Sequence, residues 1–330
     1  MNDNFYMGLA LDAAWPYQGL TYPNPAVGCV IVDKNGAILA ISAHRKRGEA
    51  HAELSAVALA LLHLRPNIQL PQNPNELHAF ILKNHSNLLK DATVYVTLEP
   101  CSHYGSTPPC SLLLGSLHVK RVCIGVRDPN PNASGGMEFL KSKGIDIELG
   151  ICAKECADLI NPFRAWQNGH FGFVKLAMSL NGVMSGGKIS SLHSRTHMHA
   201  IRDKLTLLAI GGNTLRQDNP KLDSRLVNGK APDVLVLSKQ NDFDKDANIF
   251  KIQNRKVYIE SSWERFFNTP FGMIEAGPKL FENLPKSIKY MLLYRSNSFK
   301  EGIGVNCQDQ WKMLWQGRNE EDSFGWFYRE

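Results

Sequence analysis

Nothing in the 330 residues is apolar for long enough to cross a bilayer. Runs such as Ala56–Leu62 fall far short of the roughly 18 residues that a spanning helix needs. Residues 1–20 carry Asp3 and Asp12 and lack a basic stretch ahead of an apolar one, so no secretory leader is expected. Cysteine is scarce: seven residues, an odd number without regular spacing, argue against a disulfide framework and for a reducing compartment. A cytoplasmic chain with no membrane partner is the expectation. Proline (17) and glycine (26) are dispersed rather than clustered, which excludes a collagen-like or low-complexity chain. No fixed-period repeat links the two halves.

The first half also lacks net charge. Residues 1–150 hold 12 basic and 12 acidic side chains, whereas residues 151–330 hold 25 and 19, so the whole +6 surplus lies in the second half. A neutral first half argues against a nucleic-acid surface there, and a mild surplus in the second suits anionic small ligands. What remains, 43% hydrophobic and 21% charged residues, is a globular composition, and the length fits two domains of roughly 150 residues each.

Strands and helices alternate along the chain. Helical spacing over residues 4–20 precedes the turn residues Tyr22-Pro23-Asn24-Pro25. Val27–Val32, Asp33-Lys34-Asn35-Gly36 and Ala37–Ile41 read as strand, turn and strand. Ala50–Leu64 reads as a buried helix, and residues 65–90 as a surface excursion with a small helical element. Thr93–Leu98, Val119–Val126 and Ile145–Leu149 are expected strands, with helices over Ser111–Leu117 and Met137–Lys143 between them. This pattern predicts an α/β domain that closes near residue 150. Beyond it, Phe173–Ser179, Leu205–Ile210, Val234–Leu237, Lys256–Ile259 and Gly272–Ile274 are expected strands, with a helix over 191–204.

Three groups carry chemistry in the first half: His51-Ala52-Glu53 at a helix start, Pro100-Cys101 after a strand, and Pro109-Cys110. Zinc favours imidazole and thiolate, and a catalytic zinc takes three protein ligands. His51, Cys101 and Cys110 supply that set. Glu53, two residues from His51, is placed to take a proton from water and return it to a leaving amine. A single such His or Cys is more simply read as core packing; three ligand types in this order are not. The pattern resembles the zinc nucleoside and nucleobase deaminases, H-x-E…P-C-x-x-C, with eight residues instead of two between the cysteines.

That longer spacing narrows the resemblance. Thr97-Leu98-Glu99-Pro100-Cys101-Ser102-His103-Tyr104-Gly105-Ser106-Thr107-Pro108-Pro109-Cys110 closely resembles the bifunctional riboflavin-biosynthesis deaminase-reductase family. So do Pro23–Val30, Gly48–Glu53 and Asp128-Pro129-Asn130-Pro131. The resemblance implies a three-layer cytidine-deaminase-like domain over 1–150, acting on a diamino-ribosylamino-pyrimidinone 5′-phosphate, with Asn24, His44, His103, Asp128 and Asn130 lining its pocket. An Asn can meet a pyrimidine edge as donor and acceptor, and His and Asn can hold a phosphorylated ribose. The simpler reading of Asn24 and Asp128-Pro129 is turn formation. Ser106 stands where the family commonly has Lys or Arg, which removes one expected phosphate contact.

In the second half, Lys175-Leu176-Ala177-Met178-Ser179-Leu180-Asn181-Gly182 resembles the opening strand of the family's reductase domain, with Asn181 in place of its Asp. Thr214–Leu222 with Arg225, and Glu275-Ala276-Gly277-Pro278, resemble two further segments. Lys188 stands where the family has Trp, and its terminal strands are not recognisable after residue 290. The resemblance implies a dihydrofolate-reductase-like α/β domain over 151–330 that uses NADPH to reduce a ribosyl to a ribityl chain. Lys175, Ala177, Thr214, Asp218, Gly277 and Pro278 would then contact the cofactor, and Arg202, Leu222, Arg225 and Glu275 the substrate. A homo-oligomer, dimer or tetramer, is also implied. Gly211-Gly212 after a strand and Gly277-Pro278 opening a helix are candidate phosphate contacts, because glycine admits phosphate to the backbone. The arginines read equally well as solvated surface.

His193 and His197 are spaced as a metal pair, with His199 close by, but no acidic or thiolate ligand lies near in sequence, so a polar helix face is expected instead. Cys152 and Cys156 read as packed thiols on a helix. Two rival readings differ in what they require. A deaminase with a degenerate second domain is motivated by Asn181, Lys188 and the unrecognised terminal strands. A nucleic-acid base deaminase requires a basic, aromatic-lined first domain, which the charge balance and cysteine spacing oppose.

Overall fold

A computed structural model describes every residue except Met1, Ser106, Gly186 and Asn306. Ser106, where a basic residue was expected from the resemblance, therefore lies outside the described residues. The chain divides into two compact units, Met1–Arg164 and Ala165–Glu330.

The first unit is built on a five-stranded sheet of β1 (Gly28–Val32), β2 (Ile38–Ala43), β3 (Thr93–Leu98), β4 (Arg121–Val126) and β5 (Asp146–Leu149), in the order β2-β1-β3-β4-β5. β1 runs antiparallel to β2 and β3, while β3, β4 and β5 are parallel. β1 and β3 are almost wholly buried, as strands covered on both faces are. The helices are α1 (Asp3–Ala14), α2 (Ala52–Leu64), α3 (Pro74–Asn84), α4 (Cys110–Ser116), α5 (Gly136–Ser142) and α6 (Ala153–Gln167). The helix expected over 4–20 is shorter, because Pro16 lacks the amide hydrogen needed to continue it and Trp15–Tyr17 close as a 3-10 turn. Gly28 allows α1 to lie against β1, since a Cβ there would sit 1.8 Å from the Ala10 carbonyl oxygen.

Two expectations change. Residues 65–90 are more than a surface excursion: α3 is capped by Asn73, and it buries Leu77 and Ile81 in the core beside Leu54, Leu61 and Leu113. The unit also extends past the expected boundary at residue 150. α6 packs Ile160 and Phe163 against the same core, Cys156 is fully buried, and the Gln18 amide donates to the Leu159 carbonyl at 2.8 Å.

The second unit holds an eight-stranded sheet formed by β6 (Phe171–Met178), β7 (Leu207–Gly211), β8 (Asp233–Leu237), β9 (Val257–Glu260), β10 (Phe271–Glu275), β11 (Tyr290–Arg295), β12 (Lys312–Asn319) and β13 (Asp322–Tyr328). The order is β12-β13-β11-β6-β10-β7-β8-β9, parallel from β11 through β9 and antiparallel across β11, β13 and β12. Its helices are α7 (Leu192–Arg202), α8 (Gly212–Asp218), α9 (Glu264–Phe267) and α10 (Pro278–Glu282). Three strands from Tyr290 onward complete the sheet although the sequence resemblance lapses there, and Phe324 and Trp326 of β13 are buried in it. No helix among the described residues is long and apolar enough to cross a membrane.

Candidate functional site

In the first unit, His51 caps α2, Cys101 follows β3, and Cys110 opens α4. The fold brings these three together, with one ligand atom from each lying within 4.8 Å of the others. His51 Nδ1 stands 3.6 Å from Cys101 Sγ and 3.6 Å from Cys110 Sγ. Tetrahedral bonds of about 2.3 Å to sulfur and about 2.05 Å to nitrogen leave an S···N edge of about 3.6 Å, so the spacing fits zinc. The donor chemistry fits as well, two thiols and an imidazole whose Nε2 lies 3.4 Å from Thr107 Oγ1. The Cys110 amide donates to Cys101 Sγ at 3.4 Å. Hydrogen bonding from the Cys110 thiol, helped by His51, draws the Cys101 thiol down to about 4.

Glu53 is only 4% exposed, in the first turn of α2 beside this triad. Burial pushes its carboxyl up to about 7, and the Cys101 charge adds to the rise. A carboxyl beside a bound water can accept a proton and release it again.

Around the triad, His44 is buried and its Nδ1 meets the Ala50 carbonyl oxygen at 3.1 Å. A carbonyl only accepts, so Nδ1 carries the proton. Burial, with His51 nearby, lowers His44 to about 4, so the ring is neutral and Nε2 accepts from the Asn24 amide at 3.2 Å. Asp128 Oδ1 accepts from the Asn130 backbone N–H at 2.8 Å, and Asn130 Oδ1 from the Asn132 backbone N–H at 3.1 Å. His103 is exposed on the stretch after Cys101. Sequence reasoning missed the parts that hold this pocket together. Glu99 Oε1 accepts from the amides of Gly135 (2.9 Å) and Met137 (3.2 Å), and Glu99 Oε2 from that of Asp128 (3.3 Å). The residue stands inside the motif used for the resemblance, but its acceptor role needs partners from a distant loop.

In the second unit the candidate residues gather at the carboxyl ends of parallel strands, where ligands of open α/β sheets bind. Lys175 of β6 lies opposite Glu275 of β10, and Glu275 opposite Ile210 of β7. Gly211-Gly212 and Ala276-Gly277 therefore leave adjacent strands side by side. A Cβ on Gly277 would meet nothing within 4 Å, so its backbone borders open space. Thr214 sits in the first turn of α8, Asp218 is its exposed last residue, and Pro278 opens α10. Ala177 continues β6 two residues past Lys175.

Arg202 is buried and already engaged. Its Nε and Nη2 reach Glu275 Oε1 at 2.7 and 2.6 Å, and Nη1 donates to the Asp223 carbonyl at 3.0 Å. Arg225 is exposed and pairs with Asp223. Leu222 is buried with a left-handed φ of 53°, a costly conformation for a branched side chain. Arg255, which sequence reasoning missed, braces that turn by donating to the Lys221, Leu222 and Ile249 carbonyls. Burial lowers Lys175, and Glu275 and Arg202 modulate the shift in opposite senses. Asn181 is not a vestige: its Nδ2 donates to the Lys300 carbonyl (2.8 Å) and its Oδ1 accepts from the Lys300 amide (3.1 Å), a two-way pairing that Asp cannot make.

The histidines of α7 serve separate partners. His193 meets Glu320 at 2.8 Å, His197 meets the Tyr294 hydroxyl at 2.7 Å, and His199 accepts from the Leu226 amide. Among the described residues His51, Cys101 and Cys110 form the one cluster with metal-ligand geometry.

Family comparisons agree with both halves. The family model described as the cytidine and deoxycytidylate deaminase zinc-binding region matches residues 1–126, and the RibD C-terminal domain matches residues 170–265. The riboflavin biosynthesis protein RibD of Aquifex aeolicus is 34% identical over 266 residues, covering 78% of this chain and 67% of that protein. RibD of Haemophilus influenzae is 30% identical over 322 residues, covering 95% and 79%. RibD of Actinobacillus pleuropneumoniae is 36% identical, but the match spans only 63% of its length. Acinetobacter baumannii RibD superimposes with a TM-score of 0.59 at 25% identity, covering 99% of each chain. The Thermotoga maritima diaminohydroxyphosphoribosylaminopyrimidine deaminase/5-amino-6-(5-phosphoribosylamino)uracil reductase shares the fold, with a TM-score of 0.64 at 24% identity over 99% of this chain and 98% of that one. With a deaminase zinc region followed by a reductase domain in one polypeptide, the chain belongs to the RibD family of riboflavin-biosynthesis enzymes.

Proposed function

We propose that this chain performs two consecutive steps toward riboflavin. The first is hydrolytic deamination of a diamino-ribosylamino-pyrimidinone 5′-phosphate, and the second is NADPH-dependent reduction of the ribosyl to a ribityl chain. The observation that carries the reading is the convergence of His51, Cys101 and Cys110 at a spacing that fits zinc, with buried Glu53 beside them. Those three residues would hold zinc, which when bound makes water a competent nucleophile near neutral pH. Glu53 takes the proton as water adds to the amine-bearing ring carbon, and returns it to the nitrogen as ammonia leaves. His44 fixes the Asn24 amide, and Asn24, His103, Asp128 and Asn130 receive the pyrimidine and its ribose phosphate.

NADPH, when bound, supplies the hydride of the second step. Gly211-Gly212, Thr214, Asp218 and Gly277-Pro278 would receive its phosphates and ribose, with Lys175 and Ala177 of β6 beside the nicotinamide. Glu275, oriented by Arg202, faces the sugar with Leu222, and Arg225 is free to exchange Asp223 for a substrate phosphate. The completed sheet and the Asn181–Lys300 pairing favour a competent second domain over a degenerate one. We further place the chain in the cytoplasm, where its seven free cysteines stay reduced, as a homo-oligomer that light scattering would size.

Both half-reactions should be assayed on one preparation. Zinc-dependent ammonia release from the diamino substrate, and loss of NADPH absorbance with the deaminated product, are expected. Ammonia release without NADPH oxidation would reject the second step, and absence of both would reject the reading.

A further inference from the structure

The segment from Asp128 to Met137 contains Pro129 and Pro131, which lack amide hydrogens, and its own bonds are short-range. They are Asx contacts at Asp128 and Asn130, turn bonds from the Ala133 and Ser134 backbone amides to the Asn130 carbonyl, and one from the Ser134 hydroxyl to the Pro131 carbonyl. These bonds shape the turn locally and tie it to no other element. That depth is set from Glu99, which is 3% exposed and spends both carboxylate oxygens on backbone amides of this segment, at Asp128, Gly135 and Met137. Its own amide donates to the Val126 carbonyl at 2.9 Å, which anchors it at the paired ends of β3 and β4. On the other side of Pro100-Cys101, the Ser102 amide donates to the Ala133 carbonyl at 3.0 Å, and the Ser102 hydroxyl donates to the Ser134 carbonyl. Between these attachments Gly136 touches the Pro100 carbonyl oxygen so closely that a Cβ would lie 1.8 Å from it. The segment is thus stitched to the metal loop immediately before and after a ligand.

We propose that Glu99 is a positioning residue for the deaminase substrate: it sets where Asp128 and Asn130 stand relative to the metal centre, and so governs substrate affinity rather than metal retention or proton transfer. The proposal rests on the deaminase reading above. The clamp requires an acceptor at both side-chain oxygens. An amide offers one carbonyl oxygen and turns an NH2 toward the remaining N–H, leaving a buried donor unpaired.

Glu99→Gln tests this. Without substrate, hydrogen exchange across residues 128–137 should quicken at least tenfold while the amides of β3 and β4 stay protected. With substrate, KM for deamination should rise about tenfold, zinc content should match that of the parent, and kcat should fall much less. Ser102→Ala, which removes one stitch beyond Cys101 and leaves the Glu99 clamp intact, should move exchange and KM the same way by a smaller factor. It serves as the test if Glu99→Gln does not fold. Unchanged exchange and KM in the folded variant would overturn the proposal, and so would a fall in kcat or zinc content at constant KM. Hydrogen exchange is read without turnover, so a parent protein that released no ammonia would reject the deaminase reading and leave the exchange result to judge the clamp.

Discussion

The two units solve the problem of placing charged groups in opposite ways. In the first, two thiols, an imidazole and a buried carboxyl face one another, and burial raises Glu53 to about 7. In the second, the charges are already matched within the protein, with Arg202 held by Glu275, Arg225 by Asp223, and Lys175 close to both carboxylate and guanidinium. The first arrangement is completed by an added cation, whereas in the second Arg202 and Arg225 can meet an anionic ligand only by exchanging partners. One site is incomplete by charge, the other by shape.

Variants should separate the two. The largest effect is expected for Cys101→Ala, which removes a ligand and should abolish both zinc binding and ammonia release while leaving NADPH oxidation with the deaminated substrate intact. Metal analysis alongside both assays checks this, and a matching loss in the reductase assay would break the contrast. Glu53→Gln should keep zinc and lower deamination by roughly 10²–10⁴-fold. If turnover survived with zinc bound, the proton-shuttle role would be wrong. Arg202→Ala strands the Glu275 carboxylate and should destabilise the second unit by about 3 kcal/mol, read as a lower urea midpoint with deamination preserved.

The smallest effect is expected at the periphery of the first unit. Arg121 and the Tyr95 hydroxyl hold the Asp3 carboxyl below the usual carboxylate range. Its contribution is therefore present above that range and fades as pH falls through the depressed value. Asp3→Asn should lower stability at neutral pH by less than about 1 kcal/mol and flatten the acid limb of the unfolding curve.

The same contrast explains what was legible in the sequence. A metal site demands specific side chains at helix and strand ends, so His51, Glu53, Cys101 and Cys110 stood out, and β3 was bounded correctly because Thr93–Leu98 is a β-branched and aromatic run stopped by Glu99-Pro100. The terminal hairpin was not legible: β12 turns into β13 through Glu320 at a φ of 55°, where the residue pair that signals such turns, Asn-Gly, is absent. The boundary at 150 followed the last strand and left the helix that carries Cys156 to the second half, because its packing against the first core is visible only in three dimensions. Glu99 and Arg255 were missed for one reason. Both act on backbone groups of distant segments, and backbone acceptors and donors leave no trace in residue identity.

The excursion between the second helix and third strand has a practical consequence for anyone wishing to trim this enzyme to a minimal deaminase. Ile81 is fully enclosed and Leu77 nearly so, and deleting the insert would strip that side of the core, with a loss of roughly 2–5 kcal/mol for each large aliphatic removed. A shortened version needs replacement apolar cover before it can be expected to fold.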